Sequence, residues 1–235
     1  MNIENYLEST YLKTSEESNL SSIQIKSIIK SLVNEAVDNN FKLIMIRENH
    51  LNYVESLLRK MKSNLLIGTV VDFPLGDKST SEKIKELNRI LNYSVSDIDF
   101  VCDYNAFKRK DFKKFDSDII ELSSLCVQKN KTIKWIIETG ALSKKEIFDI
   151  SERISKIINQ NFAENFDDFF IKTSTGYYAG YGANINDIKI IKRAAKNINI
   201  KASGGIKSFS DAISMIELGV NRIGTSSALH IYNKK

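Results

Sequence analysis

The sequence predicts an α/β fold, a (β/α)8 TIM barrel, as a single domain over residues 1–235. Eight short apolar or β-branched runs alternate with longer segments whose apolar residues recur about every 3.6 positions. No Pro-rich or Gly/Ser-rich linker interrupts the series, and 235 residues with 42% hydrophobic residues can bury one sizeable core. A closed barrel fits this pattern better than two domains.

The eight runs are spaced as strand plus helix along the whole chain. They lie near Tyr6–Ser9, Lys42–Ile46, Leu65–Asp72, Ile98–Cys102, Ile133–Glu138, Asp168–Lys172, Ile198–Lys201 and Val220–Gly224. The competing fold is a doubly wound open sheet. A dinucleotide-binding sheet of that kind needs a Gly-rich turn after its first strand, and Glu8–Tyr11 contains no glycine.

Two of the intervening segments have the pattern of amphipathic helices. One carries a wide apolar stripe from Ile23 to Val37, and another carries isoleucines at positions 147, 150, 154, 157 and 158. Ser143 with Glu146 forms a capping box, which predicts the start of the second helix. Ser208 before Phe209 predicts the start of a further one.

Composition argues against several classes of function. The net charge is +5, but the lysines alternate with acidic residues and form no basic stripe, so we expect no nucleic-acid partner. A mildly positive field would suit an anionic substrate. Cys102 and Cys126 are too far apart for a redox motif, and His50 and His230 lack partners at metal-ligand spacing. We therefore expect reduced thiols, no metal and no cofactor.

The sequence also predicts a cytoplasmic location. The longest uncharged apolar stretch, over residues 64–71, is far shorter than the roughly 20 residues that cross a bilayer. Glu4 lies near the start and no basic segment precedes an apolar run, so the beginning does not resemble a secretory signal. We expect no membrane partner.

Two lysines end neighbouring predicted strands. Lys172 follows the sixth run and Lys201 follows the seventh, and adjacent strands lie about 4.8 Å apart, so the two ammonium groups would share one pocket. Barrel active sites lie at these strand ends, and burial beside a second cation activates a lysine for Schiff-base formation. Alternatively, each lysine only marks a strand end and extends into solvent.

Asp99 is the third candidate. Residues alternate between the faces of a strand, so Asp99 lies opposite Ile98 and Phe100, which would pack against the helices. An inward carboxylate near the two amines could accept and return protons. Its simpler role would be a salt bridge.

Two Gly-rich turns predict a phosphate site. Ser203–Ile206 follows the seventh strand and Gly224–Ser227 follows the eighth, and each precedes a predicted helix. Glycines let the backbone approach an anion, and barrels commonly bind phosphate after strands seven and eight. Either turn taken alone would be an ordinary loop.

Five segments, in the same order, resemble those of a known family over nearly the whole chain. They are Phe73-Pro74-Leu75-Gly76, Ile136-Ile137-Glu138-Thr139-Gly140, Phe170-Ile171-Lys172-Thr173-Ser174-Thr175-Gly176, Lys201-Ala202-Ser203-Gly204-Gly205-Ile206 and Arg222-Ile223-Gly224-Thr225-Ser226-Ser227. The family is the 2-deoxy-D-ribose 5-phosphate aldolases, which are metal-free class I lyases. The resemblance implies reversible cleavage of deoxyribose 5-phosphate to glyceraldehyde 3-phosphate and acetaldehyde, in deoxyribonucleotide catabolism, by a possible homodimer.

The same resemblance implies roles for individual residues. Lys172 would form the imine, Lys201 would tune its pKa and take part in proton transfer, and Asp99 would donate and accept protons. The residues implied at the phosphate are Gly176, Gly204, Gly205, Gly224, Ser226 and Ser227. Those implied at the substrate hydroxyls are Glu8, Thr10 and Thr173.

The chain departs from the family pattern at three places. Glu8 stands where the family has Asp, the segment Ile44–Glu48 lacks the expected proline, and Tyr177 and Tyr178 follow the Schiff-base motif. These departures concern substrate preference more than reaction class. Two alternatives remain, a class I aldolase for another phosphorylated sugar and a barrel that binds sugar phosphates without turnover.

Overall fold

Eight parallel strands close into a barrel in chain order in the computed structural model, which describes residues 2–234. The strands are β1 Leu7–Tyr11, β2 Leu43–Ile46, β3 Leu66–Val71, β4 Asp97–Val101, β5 Thr132–Ile136, β6 Phe169–Lys172, β7 Asn199–Ser203 and β8 Arg222–Thr225. Pairing of Glu8 on β1 with Gly224 on β8 completes the ring. The TIM barrel prediction is confirmed, and the open sheet is wrong.

Helices follow the strands and surround the barrel. They are α1 Ser15–Ser18, α2 Ser22–Asp38, α3 Leu51–Met61, α4 Thr80–Ile90, α5 Tyr104–Lys108, α6 Phe112–Val127, α7 Lys144–Asn161, α8 Ile185–Ala194, α9 Phe209–Glu217 and α10 Ala228–Tyr232. Ser143 and Glu146 form the reciprocal capping box that starts α7, and Ser208 caps α9 by accepting the N–H of Asp211. Both predicted helix starts are confirmed.

The apolar face of α2 is narrower than its sequence suggested. Ile25, Ile29 and Val33 are buried against the barrel, whereas Ile23 is 79% exposed and Ile28 lies at the edge of the buried face. Each residue advances about 100° around a helix, so Ile23 is turned away from Ile25. The prediction that the apolar stripe begins at Ile23 is therefore wrong, because Ile23 faces solvent.

Strand alternation separates two apolar regions. Ile98 and Phe100 on β4 face outward, where Phe100 stacks on Trp135 with ring centroids 4.9 Å apart. The side chains of Leu43, Met45 and Val70 alternate with outward-facing neighbours and form a separate cluster in the barrel interior. The interior at β2 and β3 is therefore apolar.

No helix among residues 2–234 is long and apolar enough to cross a membrane. Cys102 and Cys126 are buried and unpaired with each other.

Candidate active site

Lys172 and Lys201 are register partners on β6 and β7. Both are almost fully buried. Their strand neighbours Ile171 and Ile200 pack in the outer core, so the lysines point into the barrel. The structure thus brings together the two lysines that the sequence placed on adjacent strands, and neither extends into solvent.

Asp99 joins the two lysines from the opposite side of the barrel interior. Its Oδ2 accepts a hydrogen bond from Lys172 Nζ at 2.8 Å and another from Lys201 Nζ at 2.6 Å, and the residue is fully buried. The Asp99 side chain therefore points into the barrel, as strand alternation predicted. Two ammonium groups share one carboxylate oxygen.

A third lysine belongs to the same interior cluster. Lys134 on β5 is fully buried, and its Nζ lies 2.5 Å from Asp97 Oδ2, 3.3 Å from Asp99 Oδ1 and 3.6 Å from Glu8 Oε1. Lys134 was not among the residues predicted from the sequence. The signal was present, because a lysine between Ile133 and Trp135 in a strand must face the barrel interior.

Burial and neighbouring charges shift the pKa values of this cluster in different directions. Burial alone would raise the pKa of Asp99, but the ammonium groups of Lys172, Lys201 and Lys134 hold the pKa well below its usual range. Burial lowers the pKa of Lys172 to about 8 and Lys201 adds to this effect, while Asp99 opposes it. Burial would also lower the pKa of Lys134, but Asp97, Glu8 and Asp99 raise it above the ordinary value. Lys172 therefore loses its proton at a lower pH than an ordinary lysine, and Lys134 at a higher one.

An open cavity of about 650 Å³ lies over Lys172 and Lys201. Its wall includes Thr10, Leu12, Lys13, Glu17, Thr175, Gly176, Tyr177, Ser203, Gly204, Gly205, Lys207, Gly224 and Ser226. Asp99 is not part of the wall and lies below the two amines. A surface groove between α7 and α8, of about 990 Å³, shares no residue with this cavity. The cavity is therefore the space in which a small molecule would meet the lysines.

The glycine turns form one side of the cavity. Gly176, Gly204 and Gly205 have φ angles of 82°, 90° and 75°, a region that side-chain-bearing residues rarely adopt. A Cβ on Gly204 would lie 3.0 Å from the Cα of Gly182, so the backbones approach closely there. Ser226 lies on the same wall, whereas Ser227 does not. The N–H of Ser227 donates to Thr225 Oγ1 at 2.9 Å.

Lys207 adds a positive charge to this wall. It follows the Gly204–Ile206 turn and is exposed at the cavity. Lys207 was not among the residues predicted from the sequence. A cation directly after a Gly-rich turn was the signal available, since both favour an anion.

Glu138 holds the turn that follows Lys172. It is buried, adopts a left-handed backbone conformation, and accepts the N–H of Thr175 at 3.1 Å and also the Thr175 hydroxyl. Burial raises the pKa of the Glu138 carboxyl, and the Thr175 bonds and Lys172 oppose that shift. The segment from Ile136 to Gly140 thus supports the Lys172 loop.

Two of the residues expected at substrate hydroxyls do not reach the cavity. Thr173 follows Lys172, so its side chain faces the other way, where its hydroxyl donates to the Ser203 carbonyl and accepts the Ser203 N–H. Glu8 is fully buried beneath the cavity and contacts Lys201. The hydroxyl-binding roles of Glu8, Thr10 and Thr173 stay predictions, and of the three only Thr10 lines the cavity.

Two of the three departures from the family pattern, at Tyr177 and in the segment Ile44–Glu48, meet at the cavity rim. The Tyr177 ring packs edge-on against Phe73 at 5.0 Å between centroids, and its hydroxyl lies 3.5 Å from Glu17 Oε2. Arg47, in the segment without the expected proline, lies 3.6 Å from the same Glu17 oxygen and donates to the Leu12 carbonyl at 2.6 Å. These contacts link loops from β1, β2, β3 and β6.

Chemically, the site combines an amine whose pKa is lowered to about 8, a buried carboxylate and an anion-favouring wall. A buried lysine beside a second cation can form an imine with a carbonyl compound. Within residues 2–234, no three His, Cys, Asp or Glu side chains lie together as a group that could hold a metal ion.

Known proteins resemble the chain along most of its length, although no family model matches it. The deoxyribose-phosphate aldolase of Metamycoplasma arthritidis is 38% identical over 204 residues, which is 86% of this chain and 88% of that protein. The deoxyribose-phosphate aldolase of Staphylococcus saprophyticus is 35% identical over 98% of this chain and 96% of its own length.

Solved structures resemble the chain as well. One described as "QR15, an Aldolase" superimposes with a TM-score of 0.83 at 29% identity, over 99% of this chain and 95% of that one. A deoxyribose phosphate aldolase from Aeropyrum pernix, described as a tetramer, has a TM-score of 0.81 at 22% identity over 98% and 89% of the two chains. At that identity, the second likeness concerns the fold alone.

Proposed function

Because this chain belongs to the deoxyribose-phosphate aldolase family, we propose that it cleaves 2-deoxy-D-ribose 5-phosphate reversibly through a Schiff base on Lys172. The products are D-glyceraldehyde 3-phosphate and acetaldehyde. One observation carries the mechanism: Lys172 and Lys201 share the Asp99 carboxylate directly beneath a cavity with an anion-favouring wall.

The first step is imine formation. The neutral amine of Lys172 adds to the aldehyde carbon of the open-chain sugar, and uptake of one proton with loss of water leaves a protonated imine. Burial supports this role, because a pKa of about 8 makes the nucleophilic form available near neutral pH. The neighbouring Lys201 disfavours the charge of the free amine.

The second step is carbon–carbon cleavage. The proton of the substrate's C3 hydroxyl is removed, the C2–C3 bond breaks, and its electron pair moves to the imine to give an enamine. Glyceraldehyde 3-phosphate then leaves, C2 takes up a proton, and water releases acetaldehyde. Asp99 and Lys201, hydrogen-bonded at 2.6 Å, form the pair that accepts and returns these protons.

The substrate phosphate lies on the wall built by the glycine turns. Gly176, Gly204 and Gly205 bring the backbone close without side chains, and Lys207 supplies positive charge. Anchoring the phosphate there holds the reacting carbons near Lys172, which lowers the entropic cost of reaching the transition state.

Borohydride reduction tests the proposal. Mixing the protein with deoxyribose 5-phosphate and borohydride should leave a stable adduct in the intact mass, and peptide mapping should assign it to Lys172. Lys172→Ala should give no adduct, whereas Lys145→Ala, at a side chain 82% exposed on α7, should label as the wild type does. An adduct that persists in Lys172→Ala contradicts the assignment of the nucleophile.

The same experiment separates the alternatives. Release of an aldehyde or ketone other than acetaldehyde from another phosphorylated sugar would favour a related class I aldolase. Thermal stabilisation by sugar phosphate without adduct or cleavage would favour a binding module. We further propose that the enzyme acts in the cytoplasm in deoxyribonucleotide catabolism. The expected homodimer stays a prediction for size-exclusion chromatography with light scattering, and one structural relative is described as tetrameric.

A further inference from the structure

Glu8 is a fully buried carboxylate that faces cations from three other strands. It forms a close ion pair with Lys201 on β7, and its Oε1 lies 3.6 Å from Lys134 Nζ on β5 and 3.7 Å from Arg222 Nε on β8. Neither Glu8 oxygen has a hydrogen bond of good geometry. Its interaction with the cluster is therefore mainly one of charge.

The contact with Lys201 crosses an intervening strand. β8 lies between β1 and β7, and the β8 residue in register with Glu8 is Gly224. A Cβ on Gly224 would lie 2.9 Å from Lys201 Cε, so the lysine side chain occupies the space that a side chain at position 224 would fill. The missing side chain lets Glu8 and Lys201 meet.

Lys201 is consequently held between two carboxylates. Asp99 accepts from its Nζ at 2.6 Å, and Glu8 contacts the same nitrogen. Asp97, the remaining carboxylate of the cluster, pairs with Lys134, whose Nζ lies 2.5 Å from Asp97 Oδ2. Without Glu8, three ammonium groups and the Arg222 guanidinium would face only Asp97 and Asp99.

We propose that Glu8 is a positioning residue, which holds the Lys201 ammonium against Asp99 and whose negative charge limits how readily Lys172 loses its proton. This role differs from the substrate-hydroxyl role first expected for it. The charge of Glu8 also acts directly to raise the pKa of Lys172, although less than burial lowers it. The inference rests on the proposed function, because that function makes Lys172 the nucleophile. The protonation of Lys172 can be measured whether or not that function is correct.

Competitive labelling with trace acetic anhydride tests the proposal. Only the neutral amine reacts, so peptide mapping across pH gives the midpoint at which Lys172 loses its proton, with exposed Lys145 as the internal reference. Glu8→Gln removes the charge at constant length, and its Lys172 midpoint should fall by about one pH unit. Glu16→Gln, the same change at an exposed position on α1, should leave the midpoint unchanged.

Glu8→Asp is the second variant. It keeps the charge but withdraws it from Lys201 by one methylene, so the midpoint should fall by about half as much as in Glu8→Gln. Because the family has Asp at this position, this variant keeps the proposal testable if Glu8→Gln does not fold. A midpoint that is unchanged or raised in the folded variants overturns the proposal, since a purely structural role would not move it.

The readout also separates the two proposals. Labelling needs no turnover, so the Glu8 effect is measurable even if borohydride traps no adduct on Lys172. Conversely, a trapped Lys172 adduct together with an unmoved labelling midpoint in Glu8→Gln would leave the aldolase assignment intact and refute the role of Glu8.

Discussion

Lys172 and Lys201 stand in register on neighbouring strands and donate to the same oxygen of Asp99. Lys172 shares the Asp99 carboxylate with Lys201, whereas Lys201 also contacts Glu8. Burial and the Lys201 charge favour loss of the Lys172 proton, and Asp99 only partly opposes them. The geometry therefore favours the neutral amine at the cavity floor.

The pH dependence of cleavage should follow the protonation state of the Lys172 amine. Since the pKa of Lys172 is lowered to about 8, the neutral form declines below that pH, and kcat/KM should fall about tenfold per pH unit on the acid side. A pH–rate profile with deoxyribose 5-phosphate measures it. An acid limb near 10.5, the ordinary lysine value, would contradict the lowered pKa.

Asp99→Asn should separate imine formation from proton transfer. The amide cannot accept a proton, so kcat for cleavage should fall by about 10²- to 10⁴-fold. Borohydride should still trap the imine on Lys172. Loss of the anionic partner also leaves Lys172 among cations, so the pKa of its amine should fall further and trapping should persist to lower pH.

Asn105→Ala on α5 serves as a matched control for this variant, since that side chain is not part of the buried cluster or the cavity wall. It should retain wild-type turnover. If Asp99→Asn turns over at the wild-type rate, Asp99 does not take part in the proton steps.

Lys207→Met should weaken binding of the phosphate end. The variant removes a positive charge from the cavity wall at nearly constant length, so KM for deoxyribose 5-phosphate should rise about tenfold, the effect of a typical charge-assisted hydrogen bond. Cleavage of unphosphorylated deoxyribose should change little. Steady-state kinetics with both substrates measures the difference, with Lys145→Met as control. An equal loss with both sugars would argue against a phosphate contact.

Lys83→Met should destabilise the fold without touching the site. Lys83 on α4 is fully buried, with its Nζ 2.7 Å from Asp118 Oδ2 and 3.6 Å from Asp72 Oδ2. Removing it leaves buried carboxylates without their main partner, so the free energy of unfolding should fall by about 3–5 kcal/mol. Urea denaturation followed by circular dichroism measures this.

Two further variants serve as controls for the stability of Lys83→Met. Lys145→Met breaks an exposed pair with Asp149 and should cost less than about 1 kcal/mol. Lys83→Met combined with Asp118→Leu should recover part of the loss, because it also removes the buried Asp118 carboxylate, which Lys83→Met leaves with the more distant Lys114 at 3.4 Å. A loss of under about 1 kcal/mol in Lys83→Met alone would mean that the pair is not needed for stability.

Local patterns accounted for the strands, the helix starts and the inward orientation of Asp99, because each depends on residues close together in the chain. They did not assign Lys134 or Lys207, although the neighbours of both carried a signal. The hydroxyl-binding roles of Glu8 and Thr173 came from the family resemblance alone, which carries no information on where these side chains reach, and they stay predictions. The rim contact among Arg47, Glu17 and Tyr177 had no local signal at all.

The sequence by itself determined a barrel of eight strands, with Lys172 and Lys201 side by side on two neighbouring strands. This follows because hydrophobic period and strand order are local properties of the chain. Only the tertiary structure decided that Asp99 and Glu8 would meet those lysines. Contacts across a barrel depend on strand tilt and stagger, and on the empty position at Gly224, which become defined when β1 closes against β8.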